Sequence, residues 1–208
     1  MEILNLKERP SDALSLQLLS GEGQVALIKN YKDLFDKENI RISQVLLTHH
    51  NFLAKEKQAI TKILNSYLER GVIPIINEND LINKEELEKN KIFTDNDILA
   101  AIISTELKVD LAIILTDVDG LFTCNPSKEN AIFIEKVEDI TKETKKLANG
   151  KGNLGKGGMH SKIIAAEMMC KEGIEVIVGN GNKNILDLIS NKERRTIFKK
   201  NKKKINEI

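Results

Sequence analysis

Tryptophan is absent from the chain, and aromatic residues make up only 4% of it. Stacking platforms for single-stranded nucleic acid need aromatic side chains in number, so none is expected. Neither sign of charge prevails: 32 basic and 31 acidic side chains leave a formal charge of +1. Bulk electrostatics therefore points to neither nucleic acid nor membrane. There are just two cysteines, Cys124 and Cys170, without C-x-x-C spacing, which reads as two inert thiols in a reducing compartment. No apolar run approaches the roughly 20 residues that span a bilayer. The opening MEILNLKERP carries charges where a secretory signal needs an apolar core. These absences predict a soluble, cytoplasmic protein with no membrane and no nucleic-acid partner. A length of 208 residues suits one large domain or a small pair, with enough chain to bury a core.

What is present is an alternation of helices and strands. Apolar spacing predicts a helix over 12–38, interrupted by SGEG at 20–23, and a second over 54–69 that Gly71 ends. Between and after them come strands at 42–48 and 72–76, the latter with an awkward Pro74. Residues 81–94 are charged and read as a loop or hairpin. A helix capped by Asp95 or Asn96 runs to about Leu107. LAIILT at 111–116 is the clearest buried strand. AIFIEKV is a short strand, DITKETKKLA a short helix, and MHSKIIAAEMMCKEG a longer helix leading into the strand IEVIVGNG. NILDLIS and RRTIFKK close the fold, and a lysine-rich tail from Lys199 is expected to fray. The strands are continuous apolar runs, the pattern of strands covered on both faces. The predicted class is therefore α/β, a three-layer sandwich around a mainly parallel sheet.

Ligands of such folds bind beyond the carboxyl ends of strands. Three polar clusters fall there: NEND after 72–76, TDVDG at 116–120, and GNGNK after 174–178. A fourth, TDNDILAA, opens a helix, and a fifth, NLGKGGMHSK, is a glycine-rich loop entering a helix. Each has a plain reading alone: an ordinary turn, a helix cap, a flexible connection. Glycine, lysine and a helix start together favour anion binding, because free backbone amides and the helix dipole face the same point. Nothing marks His49 or His50 as ligands, no residue is read as a metal ligand, and His160 stands as a neighbour of the glycine loop.

Taken in order, PIINEND, DND with LAA, LTDVDGL followed by NP, and GGMHSKIIAAE resemble the amino-acid kinase family, in its glutamate-phosphorylating branch. The likeness extends from SLQLLSGEGQVALI to GIEVIVGNG. Acetylglutamate, uridylate and isopentenyl phosphate kinases share the fold but not the NEND…DND pattern. The resemblance implies ATP-dependent phosphorylation of the side-chain carboxylate of L-glutamate to glutamyl 5-phosphate, the first step toward proline. It implies that Asp80 and Asn96 hold glutamate, and that Lys162 reaches the transferring phosphoryl group. Asp97 would orient catalytic lysines. Thr116 and Asp117 would bind nucleotide. The loop Lys156, Gly157, Gly158, Met159, His160, Ser161, Lys162 would wrap its phosphates. Mg²⁺ is expected to travel with ATP, and a homo-oligomer is expected if the chain folds.

The sequence also departs from the family. Family chains begin earlier, with a phosphate loop that carries one of two catalytic lysines and a second loop that contacts both substrates; Met1 falls just after these. The expectation is a kinase domain over 1–198 that is incomplete at its N-terminus, a basic tail at 199–208, and no RNA-binding-type C-terminal domain. Activity is expected to be impaired without the earlier segment. Lys156 stands where the family usually has a hydroxyl residue, and Thr94 where it has glycine. The alternatives are a non-catalytic remnant that binds nucleotide or a partner chain, and another small-molecule kinase of the same fold.

Overall fold

The computed structural model describes residues 10–52, 54–81, 96–147 and 158–201. Two compact units divide the chain, Met1–Phe93 and Thr94–Ile208.

The first unit opens with helix α1, Ala13–Asp36, capped by Asp12, whose carboxylate accepts the Ser15 N–H at 2.8 Å. The expected interruption at SGEG does not occur. A glycine inside a helix costs only about 0.5–1 kcal/mol relative to alanine. The cap, the ion pairs Lys29–Asp33 and Lys32–Asp36 one turn apart, and the Ser20 hydroxyl donating to the Gln17 carbonyl at 2.8 Å offset that cost. A Cβ built on Gly23 would meet no heavy atom within 4 Å. Gly23→Ala is therefore expected to stabilise the protein by about 0.5–1 kcal/mol, read as a raised urea midpoint at unchanged slope.

Strand β1, Arg41–Leu47, helix α2, Ala54–Glu69, and strand β2, Val72–Glu78, complete the regular elements of this unit. Gly71 takes φ +65° and ends the turn before β2, as its sequence position predicts. β1 and β2 pair in parallel from Arg41 opposite Val72 to Leu47 opposite Glu78. The strand thus runs two residues past Ile76, because Leu46 and Leu47 offer pairing to Asn77 and Glu78. Only Asn79 and Asp80 of the NEND cluster lie beyond the strand.

The second unit contains α3 (Asn96–Leu107), β3 (Leu111–Thr116), β4 (Leu121–Phe122), β5 (Phe133–Ile134), β6 (Lys136–Val137), α4 (Lys142–Leu147), α5 (Met159–Lys171), β7 (Glu175–Asn180), α6 (Ile185–Ile189) and β8 (Arg195–Phe198). AIFIEKV, expected as one strand, divides at Glu135: β5 pairs with β4 and β6 joins the main sheet. That sheet has the order β3-β7-β8-β6. β3 pairs with β7 in parallel and β6 with β8 in parallel, while β7 and β8 are antiparallel. The fold is α/β with mainly parallel pairing, as the apolar runs predict. Ala101 of α3, Ile163, Ala165, Ala166 and Met169 of α5, and Val176, Val178 and Phe198 of the sheet form the core. The small residues let α3 and α5 pack closely.

Two details lock this unit. The Leu121 N–H donates to Thr196 Oγ1 at 2.7 Å, and that hydroxyl donates on to the Ile134 carbonyl at 2.6 Å. One buried threonine thereby ties β4, β5 and β8. Cys170 points its thiol at the Phe198 carbonyl, 3.6 Å away. Burial, with a smaller push from the Glu175 charge, raises this thiol to about 11. Lys199, expected to begin a frayed tail, is instead held: its ammonium pairs with Glu175 at 2.7 Å and its N–H donates to the Val137 carbonyl. Residues 202–208 of that tail lie outside the described residues. Among the described residues, no helix is long and apolar enough to cross a membrane.

Candidate active site

Chain direction alone brings together the described residues of four of the five polar clusters in the second unit. α3 is followed after a short turn by β3, and α5 by β7. A helix that returns tightly into a strand runs antiparallel to it, so both helix N-termini stand beside the carboxyl ends of β3 and β7. Those strand ends are themselves paired, Thr116 opposite Asn180. Within this unit the described helix starts and strand ends therefore share one rim. The NEND cluster belongs to the first unit.

At the helix starts, Asp97 lies in the first turn of α3, where an acid is favoured by the helix dipole. Lys162 is the fourth residue of α5, and side chains on a helix lean toward its N-terminus. Its ammonium meets Asp97 Oδ2 at 2.9 Å, with the two side chains only 14% and 13% exposed. Ser161 Oγ stands 2.8 Å from the same carboxylate oxygen and 2.9 Å from the Gly158 carbonyl, so its single proton serves one of them at a time. Gly158, at φ +102°, starts α5 without a side-chain cap. The first amides of the helix, from Met159 to Ser161, accordingly have no intrahelical carbonyl to meet and suit an anion. His160 is exposed on that first turn. Lys156 and Gly157 lie outside the described residues, as does Thr94. Asn96 is the first, exposed residue of α3.

At the strand ends, Thr116 closes β3 and its hydroxyl donates to Asp117 Oδ1 at 3.1 Å. Asn180, which sequence reading left without a role, organises this turn. Its amide nitrogen reaches the Asp117 carbonyl and Asp119 Oδ1, both at 3.4 Å, while its Oδ1 accepts the Asn182 N–H at 3.0 Å. The Gly181 N–H donates to the Thr116 carbonyl at 2.8 Å. The signal that would have found Asn180 is the pairing of two neighbouring strand ends, which no single motif contains. Lys183, further along the same loop, pairs with Glu193 at 2.9 Å. That hydrogen bond and charge lift the lysine above its ordinary value, and Asp119 adds to the effect.

In the first unit, Asp80 lines a cleft of about 300 Å³ together with Ser20, Gln24, Gln44, Leu46 and Asn79. Asn77, inside β2, donates from its amide to Gln24 Oε1 of α1 at 2.8 Å. Chemically, the second unit offers a lysine steered by a carboxylate beside free helix amides, and the first offers a mainly apolar cleft lined in part by Glu78 and Asp80.

Residues 1–180 match the amino acid kinase family. The chain belongs to that family. As a member of the amino acid kinase family it is a phosphotransferase, and its curated relatives are named accordingly. It is 37% identical over 200 residues to the glutamate 5-kinase of Clostridium acetobutylicum, covering 94% of this chain and 73% of that one. It is 37% identical over 204 residues to the glutamate 5-kinase of Lactococcus lactis, covering 95% and 75%. Among solved structures, isopentenyl phosphate kinase from T. acidophilum aligns at a TM-score of 0.57 with 19% identity, covering 84% of this chain and 66% of that one. UMP kinase from Ureaplasma parvum aligns at 0.50 with 16% identity, covering 81% and 64%. At such identities these two likenesses show the amino acid kinase fold alone. The chain spans about three quarters of the curated relatives' length and about two thirds of the solved chains' length.

Proposed function

We propose that the chain transfers the γ-phosphoryl group of ATP to the side-chain carboxylate of L-glutamate, a cytoplasmic step toward proline. The observation that carries this reading is the Asp97–Lys162–Ser161 cluster at the paired helix starts, beside a rim that offers Thr116 and Asp117. The names of the relatives supply the substrate.

Phosphoryl transfer asks a protein for positioning and for positive charge against oxygens that share spreading negative charge. In this reading Lys162 supplies that charge, and Asp97 holds the ammonium in place rather than acting as a base. None is needed, because a glutamate carboxylate is already ionised at neutral pH. The carboxylate oxygen forms a bond to the γ-phosphorus as the bond to the β-phosphate oxygen breaks, and ADP leaves. Thr116 and Asp117 hold the nucleotide, and the loop from Lys156 to Lys162 covers its phosphates. Asp80 and Asn96 take the amino acid, the acid pairing with its ammonium. Mg²⁺ belongs with the nucleotide as substrate. Self-association belongs to the same proposal, supported by the exposed apolar residues Leu14, Leu18, Val25 and Leu34 along α1.

The test is ADP release by the purified chain in Mg²⁺ and ATP, with and without L-glutamate, and with hydroxylamine present to trap an acyl phosphate. Glutamate-dependent release with a matching hydroxamate is expected. Glutamate-independent release, or dependence on a phosphorylated or nucleotide acceptor instead, overturns the reading.

A further inference from the structure

The cleft beside Asp80 contains more chemistry than an acid that grips an ammonium group. It lies within the first unit, and its volume of about 300 Å³ sits at the small end of the range for ligand sites. Gln24 enters it from α1 with an amide whose two ends are differently committed. Its Oε1 accepts the Asn77 amide N–H at 2.8 Å. That contact fixes which way the carboxamide faces and leaves Nε2, with two N–H groups, without a hydrogen bond to any described residue. An oriented neutral donor in the cleft that Glu78 and Asp80 also line complements a molecule that carries both an ammonium and a carboxylate on one carbon.

We infer that Gln24 is a specificity-determining residue that donates from Nε2 to the α-carboxylate of the amino-acid substrate, with Asn77 setting its orientation. This rests on the proposed function, which places the amino acid at Asp80, and it names what reads the other half of the zwitterion. A neutral amide suits this role because, beside Asp80, it adds a donor without neutralising the acid, so the ammonium retains its partner. A molecule with the same side-chain carboxylate and amine but no α-carboxylate gives Nε2 nothing to hold.

Calorimetric titration of L-glutamate and of 4-aminobutyrate, which is glutamate without its α-carboxylate, separates the possibilities. The measurements use the full chain, the isosteric Gln24→Glu variant and the donor-free Gln24→Leu variant. A hydrogen bond to a charged group contributes about 1.5–3 kcal/mol, so glutamate affinity is expected to fall roughly 10- to 100-fold in both variants. In Gln24→Leu, which adds no charge, affinity for 4-aminobutyrate and for Mg·ADP should change less than about threefold, so the preference of the wild-type chain for glutamate collapses. Should Gln24→Leu fail to fold, Gln24→Met, neutral, without a donor and close to glutamine in length, gives the same reading. Equal losses for both amino compounds mean that Gln24 merely shapes the cleft through Asn77, and this overturns the inference. Unchanged glutamate binding in the variants overturns it as well while leaving the proposed function intact. A wild-type chain that binds no glutamate overturns both.

Discussion

Lys162→Met is expected to reduce glutamate-dependent ADP release at least about 100- to 1,000-fold, the usual consequence of removing one preorganised group aimed at developing charge. Methionine keeps much of the length and apolar stem of lysine, so the contacts of α5 with the core are retained. What is lost is the ammonium held 2.9 Å from Asp97. Lys162→Arg should recover little. A guanidinium is larger and planar, and a site built for a compact point charge places its nitrogens elsewhere. Steady-state assays at saturating glutamate and Mg·ATP decide the matter, with circular dichroism to confirm that the variant is folded. Turnover within tenfold of the wild type would remove Lys162 from the chemistry and leave its ion pair with Asp97 a structural link between two helix starts.

Among the described glycines of the second unit, Gly120→Ala is expected to have the largest effect on stability. The residue sits at φ +146°, a backbone conformation that L side chains rarely adopt. An added Cβ would also stand 2.4 Å from Thr196 Oγ1 and 2.9 Å from its backbone nitrogen. Neither atom can retreat. The hydroxyl is held between the Leu121 N–H and the Ile134 carbonyl, and the nitrogen belongs to β8 in the middle of the sheet. Backbone strain and overpacking each cost roughly 1–3 kcal/mol, so a loss of about 2–5 kcal/mol is expected in urea unfolding. A loss below about 1 kcal/mol would mean that the β4–β5 ribbon shifts freely against β8.

Much of this architecture could be read in the residues because local and global signals agree. Ala54–Glu69 and Leu111–Thr116 have the bounds their apolar patterns give, and Gly71 adopts the left-handed turn expected of a terminator. The misjudgements share one cause: the context of the whole element or of its pairing partner overrides the composition of a few residues. Ser20–Gly23 remain helical although two glycines occur there, because the helix is long and well capped. Asn77 and Glu78 extend β2 because β1 continues beside them, and AIFIEKV serves two different sheets. In the site, Asp97 and Lys162 were legible as separate motifs and are joined by helix packing that pattern alone does not reveal. Asn180 and Gln24 went without a role because their importance lies in what they touch across the fold: the Asp117 turn for one, Asn77 for the other.

Cys170 gives the second unit a built-in clock. The side chain is 2% exposed, at the end of α5, and its sulfur faces the last residue of β8. A thiol reagent reaches it only when α5 and the sheet part, and the upward shift of its ionisation keeps it protonated and unreactive while they stay together. Cys124, partly accessible, labels first and marks the start of the reaction. The delay before the second label then measures how often the helix that carries Lys162 lifts from its strands, and on the proposed nucleotide role of that helix the delay is expected to lengthen when Mg·ATP is added.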